Sequence, residues 1–492
     1  MKLKAANLIV IFLVLSSSFC LAQDIIKDVY SVGFKYYKTY DEARQYIIDN
    51  DTIYRPLLIH FWYPTIENIE KKTYHFKEYI DLISFRENFN KAQSDVDAYS
   101  FNFVNAYAGF AKQQFGLDTN TKTQQILDCP VFAQYGVDIA QNDKGFPLLI
   151  YAPSNSKSSV QNHLICEYLA SHGYMVISVG SAGWESLKRS NDEESIMAQV
   201  LDMEYVLRYF EDNLKIKYDG LGLMGFSSGV LANIIFQMNN EKVNAVLSMD
   251  GSQEYGSYLP LFKSADFDLN RANVPYCFLV NNYKNFSIYP FYYSIVASDK
   301  YMFSMPYLDH NGFVSYWRFF DLCSSNPKGS KICTSYDYIE STALAFFNTY
   351  LKTSPTSESQ VDLNIIANEY IKPETNDNAL MAQVFNVILT NNINAGIQFL
   401  NENQEAFESK ENDIIILSKM IKDHDMDASV QLMLFNTEIH PNSWKAFFEL
   451  ANVYNENKDL SLAKTAALRA QQLDPENSEI NSLLKKIKEV DK

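Results

Sequence analysis

The chain has 492 residues, 47% of them hydrophobic and 14% aromatic, enough to fill the cores of two or more domains. Its formal net charge is −17 at pH 7, and no basic cluster or stripe interrupts the acidity. That balance argues against a nucleic-acid partner and favours solubility, leaving the chemistry to be read from motifs.

Met1-Lys-Leu-Lys4 opens a basic segment, Leu8 to Leu15 is apolar, and Ser16 to Ala22 is mostly small and polar. The apolar run is too short to span a bilayer, and Cys20-Leu-Ala22 ends in a small residue suited to signal peptidase. Residues 1–22 therefore read as a secretory signal peptide, with a secreted or periplasmic mature chain starting near Gln23 and no transmembrane segment left in it. A lipid anchor on Cys20 is the weaker reading, because Phe19 is too large for the position before an anchored cysteine. Cleavage would remove Lys2 and Lys4 and take the net charge from −17 to −19. It leaves Cys129, Cys166, Cys277, Cys323 and Cys333, none in a C-x-x-C pair, so neither a zinc site nor any other metal or cofactor is expected. Cys323 and Cys333 flank a Ser-Ser-Asn-Pro-Lys-Gly loop, which points to a local disulfide in an oxidising compartment; small buried thiols are the alternative.

Arg55 to Pro64 reads as a strand by its β-branched and aromatic content. Residues 70–115 are polar but studded with aromatics and have few breakers, which predicts one or two helices that either cover a pocket or pack on the sheet edge. Strands follow at Phe146–Ala152, Tyr174–Val179, Val243–Met249, Pro275–Val280 and Tyr301–Leu308, alternating with helices at Asn162–Ser171, Ser195–Asn213 and Tyr338–Leu351. Such alternation implies a mostly parallel sheet with helices on both faces. Ser354 to Gln360 opens a linker, and beyond it glycine almost vanishes and helix-period patterns take over. Between Trp444 and about Asn477, Leu450-Ala451 and Tyr454 mark one helix, Ala463, Ala467 and Ala470 a second, and Pro475 its close. Those spacings resemble the tetratricopeptide pattern, in which small residues let two helices approach closely. Pro441 lies one such period earlier, Ile416-Leu417 and Met420 fit the first helix of an upstream unit, Leu380 to Phe399 is a weaker hairpin, and Glu479 to Val490 reads as a cap. The expected domains are the signal 1–22, a sheet domain 23–353 with its insertion 70–115, a linker 354–375 and helical repeats 376–492.

The chemistry concentrates in Asp219-Gly-Leu-Gly-Leu-Met-Gly-Phe-Ser-Ser-Gly229. A short apolar strand runs into G-x-S-x-G and then into a helical run, Val230 to Met238, the pattern of the nucleophile elbow of α/β hydrolases. The turn is tight enough to strain the serine, and the positions two before and two after it have no room for bulk. Ser227 is thus the candidate nucleophile, with the Ser228 amide as one oxyanion donor. A plain Gly/Ser turn is the competing reading. His310, in Leu308-Asp-His-Asn-Gly-Phe313, is the one histidine between Ser227 and His424, which makes it the candidate base. His172 ends a helix and reads as structural, and His163 lies on a helix, packed or exposed. Val280 is followed by Asn281-Asn282, which cannot act as carboxylates, so Asp250 at the end of the preceding strand is the candidate acid, against a turn-forming Asp-Gly. Asp309 adjoins His310, but neighbours on an extended segment face opposite ways. The second oxyanion amide is expected from Ser154-Asn155, with Asn155 the candidate, after the strand 146–152.

In order, Arg55-Pro, Trp62-Tyr-Pro64, Phe146-Pro-Leu-Leu-Ile-Tyr, Leu169-Ala-Ser-His-Gly-Tyr174, Gly225-Phe-Ser-Ser-Gly229, Asp250 and His310 resemble plasma-type platelet-activating factor acetylhydrolases and their bacterial dienelactone-hydrolase-like relatives. The resemblance covers roughly residues 30–352. In that family the acid follows the nucleophile at the spacing that separates Ser227 from Asp250. The resemblance implies a secreted, calcium-independent serine esterase acting on short or oxidised acyl esters, lipid or otherwise. Two departures stand out: the family's histidine–glycine oxyanion loop is Pro153-Ser-Asn-Ser156 here, and its charged motif after the next strand is Gly180-Ser-Ala-Gly183.

The leading expectation is an α/β-hydrolase fold followed by tetratricopeptide-like repeats, hydrolysing a small-molecule ester and offering its repeats to a protein partner. The altered oxyanion loop motivates a second class, a catalytically impaired hydrolase-fold scaffold that recruits a partner through those repeats. A peptidase on the same fold is a third, without a readable specificity pocket.

Overall fold

The structure, a computed structural model, describes residues 30–69, 73–115, 123–154, 157–180, 182–186, 193–254, 267–281, 289–295, 299–305, 307–323, 331–352, 380–381, 383–385, 387–388, 392–422 and 425–490. The expected signal and linker lie outside them. Strands β1 (Ser31–Ile48) and β2 (Asp51–Thr65) form a long antiparallel hairpin. Its turn carries Asp49 and Asn50 at φ +51° and +73°, the left-handed pair of a type I′ turn that suits the twist of the strands. The strand expected at Arg55–Pro64 is thus the inner part of β2, whereas β1 escaped the sequence reading.

The insertion contains a short strand as well as helices: β3 (Thr73–His75), α1 (Phe76–Ser84) and α2 (Gln93–Phe115), then β4 (Pro130–Tyr135). Beyond them come β5 (Phe146–Ala152), α3 (His163–Ser171), β6 (Met175–Val179), α4 (Glu193–Arg208), β7 (Tyr218–Phe226), α5 (Ser228–Met238) and β8 (Val243–Met249). Then follow β9 (Tyr276–Asn281), β10 (Lys300–Met305), α6 (Tyr316–Leu322) and α7 (Lys331–Leu351). The sheet order is β10-β9-β8-β7-β5-β6-β2-β1-β4-β3. From β10 to β6 all neighbours are parallel, and β2 turns antiparallel against β6. Every residue of β5 is buried, as a parallel strand covered on both faces requires. One apolar core lies on each face of the sheet. This is the α/β-hydrolase fold expected from the alternation and the elbow.

The strand order sets where a site belongs. After β5 the chain moves outward to β6, then returns across β5 to β7 and continues to β10. The strand order thus switches between β5 and β7, and in open α/β sheets ligands bind at the carboxyl ends of the strands at such a switch.

The insertion packs against the end of the chain's sheet domain. Phe76 lies 4.5 Å from Phe319, and Phe103 and Tyr107 on α2 stack edge-on to Tyr316 of α6. A disulfide joins Cys129, just before β4, to Cys323, just after α6. The local Cys323–Cys333 bridge is therefore not formed. Cys333 instead lies in the first turn of α7 as a buried thiol whose Sγ donates to Asp321 Oδ2 at 3.2 Å.

The C-terminal described residues are all helical: α8 (Ile393–Glu402), α9 (Glu411–Ile421), α10 (Met426–Ile439), α11 (Trp444–Glu456), α12 (Leu460–Leu473) and α13 (Ser478–Val490), with a one-turn helix Gln404–Phe407 after α8. Ala463, Ala466, Ala467 and Ala470 of α12 are buried in one cluster with Leu450, Ala451 and Tyr454 of α11, and their small size permits a close crossing. Asp425 and Ser443 cap α10 and α11 by accepting from the third residue's amide.

Four buried ionisable groups give the sheet domain a pH signature. Burial pushes the imidazoles of His60 and His163 down to about 3. Burial likewise pushes the carboxyls of Glu167 and Glu254 up to about 8, against hydrogen bonds from Tyr79 and from the Phe291 and Tyr292 amides. The folded histidines bind fewer protons than unfolded ones below about pH 6.5, so they withdraw stability as pH falls through that window. The folded glutamic acids bind more protons than unfolded ones above about pH 4.5, so they withdraw stability as pH rises towards 8. Denaturation midpoints measured from pH 4 to 9 should therefore peak between about 4.5 and 6.5. Glu167→Gln with Glu254→Gln should flatten the alkaline side, each removing a slope of up to about 1.4 kcal/mol per pH unit. An unchanged alkaline slope would mean those carboxyls titrate normally.

Candidate active site

β7 delivers its last residue, Phe226, into a turn that cannot be relaxed. Ser227 sits at φ +56° and ψ −125°, a conformation costing on the order of 1–3 kcal/mol for a residue with a side chain. Neighbours impose it: Ser227 N donates to Met249 O at 3.1 Å, and Ser227 O accepts from Ser252 N at 3.0 Å and Val230 N at 3.1 Å. The flanking glycines are required by space. A Cβ on Gly225 would stand 2.5 Å from Asn233 Nδ2, and one on Gly229 would stand 2.2 Å from Ala152 O. Those contacts bring α5 directly against the end of β5, at the switch point. Ser228, buried, opens α5, so its amide lies at the positive end of the helix next to Ser227.

The other two candidates come from the carboxyl ends of strands further along the sheet. Asp250 follows β8 at φ +45° and is buried. His310 opens a one-turn 3-10 helix, His310–Phe313, whose cap is Asp309: its Oδ1 accepts from Gly312 N at 2.8 Å. Asp309 is thereby engaged in the turn. His310 Nδ1 lies 2.6 Å from Asp250 Oδ2, and His310 Nε2 lies 2.9 Å from Ser227 Oγ. Because a carboxylate accepts only, Nδ1 carries the proton and Nε2 is left to accept from the serine hydroxyl. Positions 60 and 83 residues apart in sequence are thus joined in one hydrogen-bond chain.

Asp250 is held from behind by Asn281, the first residue of the Asn281-Asn282 pair that has no carboxylate to offer. Asn281 Nδ2 donates to Oδ1 and Oδ2 at 3.0 and 2.9 Å, and its backbone N donates to Oδ1 at 3.1 Å. A strand-end asparagine level with the acid was the available signal. Ser252, two residues past Asp250, places its Oγ 3.3 Å from Ser227 Oγ, and no motif pointed to it.

Asn155 lies outside the described residues. The residues before it are fixed: Pro153 O accepts from Gln199 Nε2 at 2.8 Å, and Ser154 O accepts from Lys157 N at 3.0 Å. His163 proves buried, and His172 Nδ1 engages Tyr168 O at 2.8 Å at the end of α3, as a structural histidine would. Among the described residues no group of three or more His, Cys, Asp or Glu side chains could hold a metal ion, and no helix is long and apolar enough to cross a membrane.

No protein-family model matches the chain, and no curated protein matches it. Among solved structures it is similar to a ferulic acid esterase from Streptomyces cinnamoneus, at 15% identity and a TM-score of 0.45, over 70% of this chain and 98% of that one. It is also similar to an acylaminoacyl peptidase from Pyrococcus horikoshii, at 10% identity and TM-score 0.36, over 69% of this chain and 44% of that one. A dienelactone hydrolase from Anabaena variabilis is a third, at 16% identity and TM-score 0.28, over 43% of this chain and 89% of that one. The chain thus spans under half the length of the peptidase.

Proposed function

We propose that this chain is a secreted serine hydrolase that cleaves carboxylic esters, short-chain or lipid, through an acyl-enzyme. The observation that carries the reading is the unbroken chain Asp250–His310–Ser227, with Ser227 held on a strained elbow. In this mechanism His310 Nε2 takes the Ser227 proton as Oγ attacks the ester carbonyl. Asp250 holds the imidazole in the required tautomer and stabilises the imidazolium that forms. The Ser228 amide and an amide of the loop at Ser154-Asn155 hold the oxyanion, each worth on the order of 3 kcal/mol in the transition state. His310 then protonates the leaving alcohol, and water reverses the sequence to release the acid. The C-terminal helices α8 to α13 contain no part of this chain of residues and serve a protein partner.

One assay tests both halves of the reading. The mature chain should hydrolyse p-nitrophenyl esters of graded chain length and be labelled by a fluorophosphonate at Ser227. Ser227→Ala should lose both, with turnover down about a million-fold. Turnover that survives in Ser227→Ala would remove this residue from the mechanism. Residues 23–353 alone should match the mature chain in kcat/KM on a small ester. A large loss in a fragment that still folds would make the helices part of the site.

A further inference from the structure

The position before the nucleophile in G-x-S-x-G is usually treated as free. Here it is Phe226, and its ring does not leave the site. It stacks on the His310 imidazole with centroids 5.0 Å apart and planes 29° from parallel. On the same 3-10 turn as His310, Phe313 lies nearly parallel to Phe226, at 6.4 Å and 18°. Both phenylalanines are buried, at 4% and 0% exposure, while the His310 side chain is 38% exposed.

The base has a geometric problem that its two hydrogen bonds do not solve. Bonds at Nδ1 and Nε2 fix the imidazole along the line from Asp250 to Ser227. Acting along that line, they do not by themselves oppose rocking about it, and rocking swings the Nδ1–H bond and the Nε2 lone pair out of alignment. A flat surface against one face removes this motion. The same surface excludes water from that face and presents a π cloud to the imidazolium formed at each proton transfer. Phe226 cannot drift, because Ser227 and the elbow fix its backbone and Phe313 closes on its ring.

We propose that Phe226 is a positioning residue for the base, with Phe313 as its support; this rests on the Ser227–His310–Asp250 reading. The elbow therefore sets the nucleophile and the plane of its base from adjacent residues. The contrary view, that Phe226 is ordinary core, predicts lost stability without lost turnover at saturating ester.

The experiment uses the full mature chain. Phe226→Leu keeps the apolar volume and removes the flat ring. It should lower kcat roughly 10- to 100-fold with KM within about twofold, since misalignment of a reacting group by a fraction of an ångström has effects of that size. Phe313→Leu should lower kcat in the same direction by less. Phe226→Tyr keeps the ring and should stay within about threefold of the parent, which also decides the matter if the leucine variant does not fold. Unchanged kcat in Phe226→Leu, or a fall of more than tenfold in Phe226→Tyr, would overturn the proposal. A second readout does not need turnover: with carbon-13-labelled histidine, the His310 ring protons, assigned with His310→Gln, should be shifted upfield by the Phe226 face and return downfield in Phe226→Leu. Unmoved resonances would overturn the stack. An enzyme with no Ser227-dependent turnover but a ring shift that disappears in Phe226→Leu would sink the functional reading and keep the contact.

Discussion

Asp250→Asn is expected to lower kcat about 10,000-fold while the chain still folds and KM changes little. The size follows from what lies behind the carboxylate. Asn281 presents its side-chain amide and its backbone N–H to Asp250, three donor contacts between 2.9 and 3.1 Å. An amide replacing the carboxylate must turn its oxygen towards those donors, which leaves its NH2 facing His310 Nδ1. The ring then accepts at Nδ1 and carries its proton on Nε2, aimed at Ser227 Oγ. A base protonated on that nitrogen cannot take the serine proton. KM holds because Asp250 is buried behind the ring and does not meet the ester. Steady-state kinetics on p-nitrophenyl acetate, with circular dichroism as the control for folding, measure it. A kcat within tenfold of the parent would place the acid elsewhere.

How much of this was legible depended on how local the determinants were. The elbow declared itself because its glycines answer to contacts within the motif and to β5, and the strained φ of Ser227 confirms the cause. His310 was nearly forced by the scarcity of histidines, and Asp250 came by elimination. The elimination used Asn281 only as a residue that lacked a charge, whereas its value lies in the donors it turns on Asp250. Strands buried on both faces, such as β5 and β8, were visible as apolar runs. β1 was not, because its polar stretch Lys35 to Asp41 pairs with β2 on one side alone, β4 meeting β1 only at Val32 to Phe34. Its polar, half-exposed pattern has meaning only once that pairing exists. β3 and β4 failed for the same reason: they are short and define the sheet's far edge. The contact of Phe226 with His310 was invisible because it joins residues 226 and 310 from the ends of different strands, and nothing in the composition of either segment announces it.

The disulfide is another long-range feature, and its removal should produce the largest change in stability. Cys129–Cys323 closes 194 residues, for which the chain-entropy relation gives about 5 kcal/mol. Measured losses are commonly smaller, so Cys129→Ser and Cys323→Ser should each cost about 2–5 kcal/mol and lower the thermal midpoint of the sheet domain by roughly 5–10 °C. The double variant should lose no more than either single one, since a single bond is at stake. Activity should fade below the unfolding transition as well. Cys323 directly follows α6, whose Trp317 Nε1 donates to Asn311 O at 2.6 Å, inside the turn that carries His310. Freeing that end of α6 loosens the segment that holds the base. Cys166, Cys277 and Cys333 are buried, and burial raises the Cys166 and Cys277 thiols well above their ordinary range. Thiol titration of native residues 23–492 should therefore find no reactive group, and titration after denaturation without reductant should find three. A reductant should bring the parent's midpoint down to that of the variants and leave theirs unmoved. Equal midpoints for parent and variants without reductant, or five titratable thiols in the denatured unreduced chain, would show that the bond does not form.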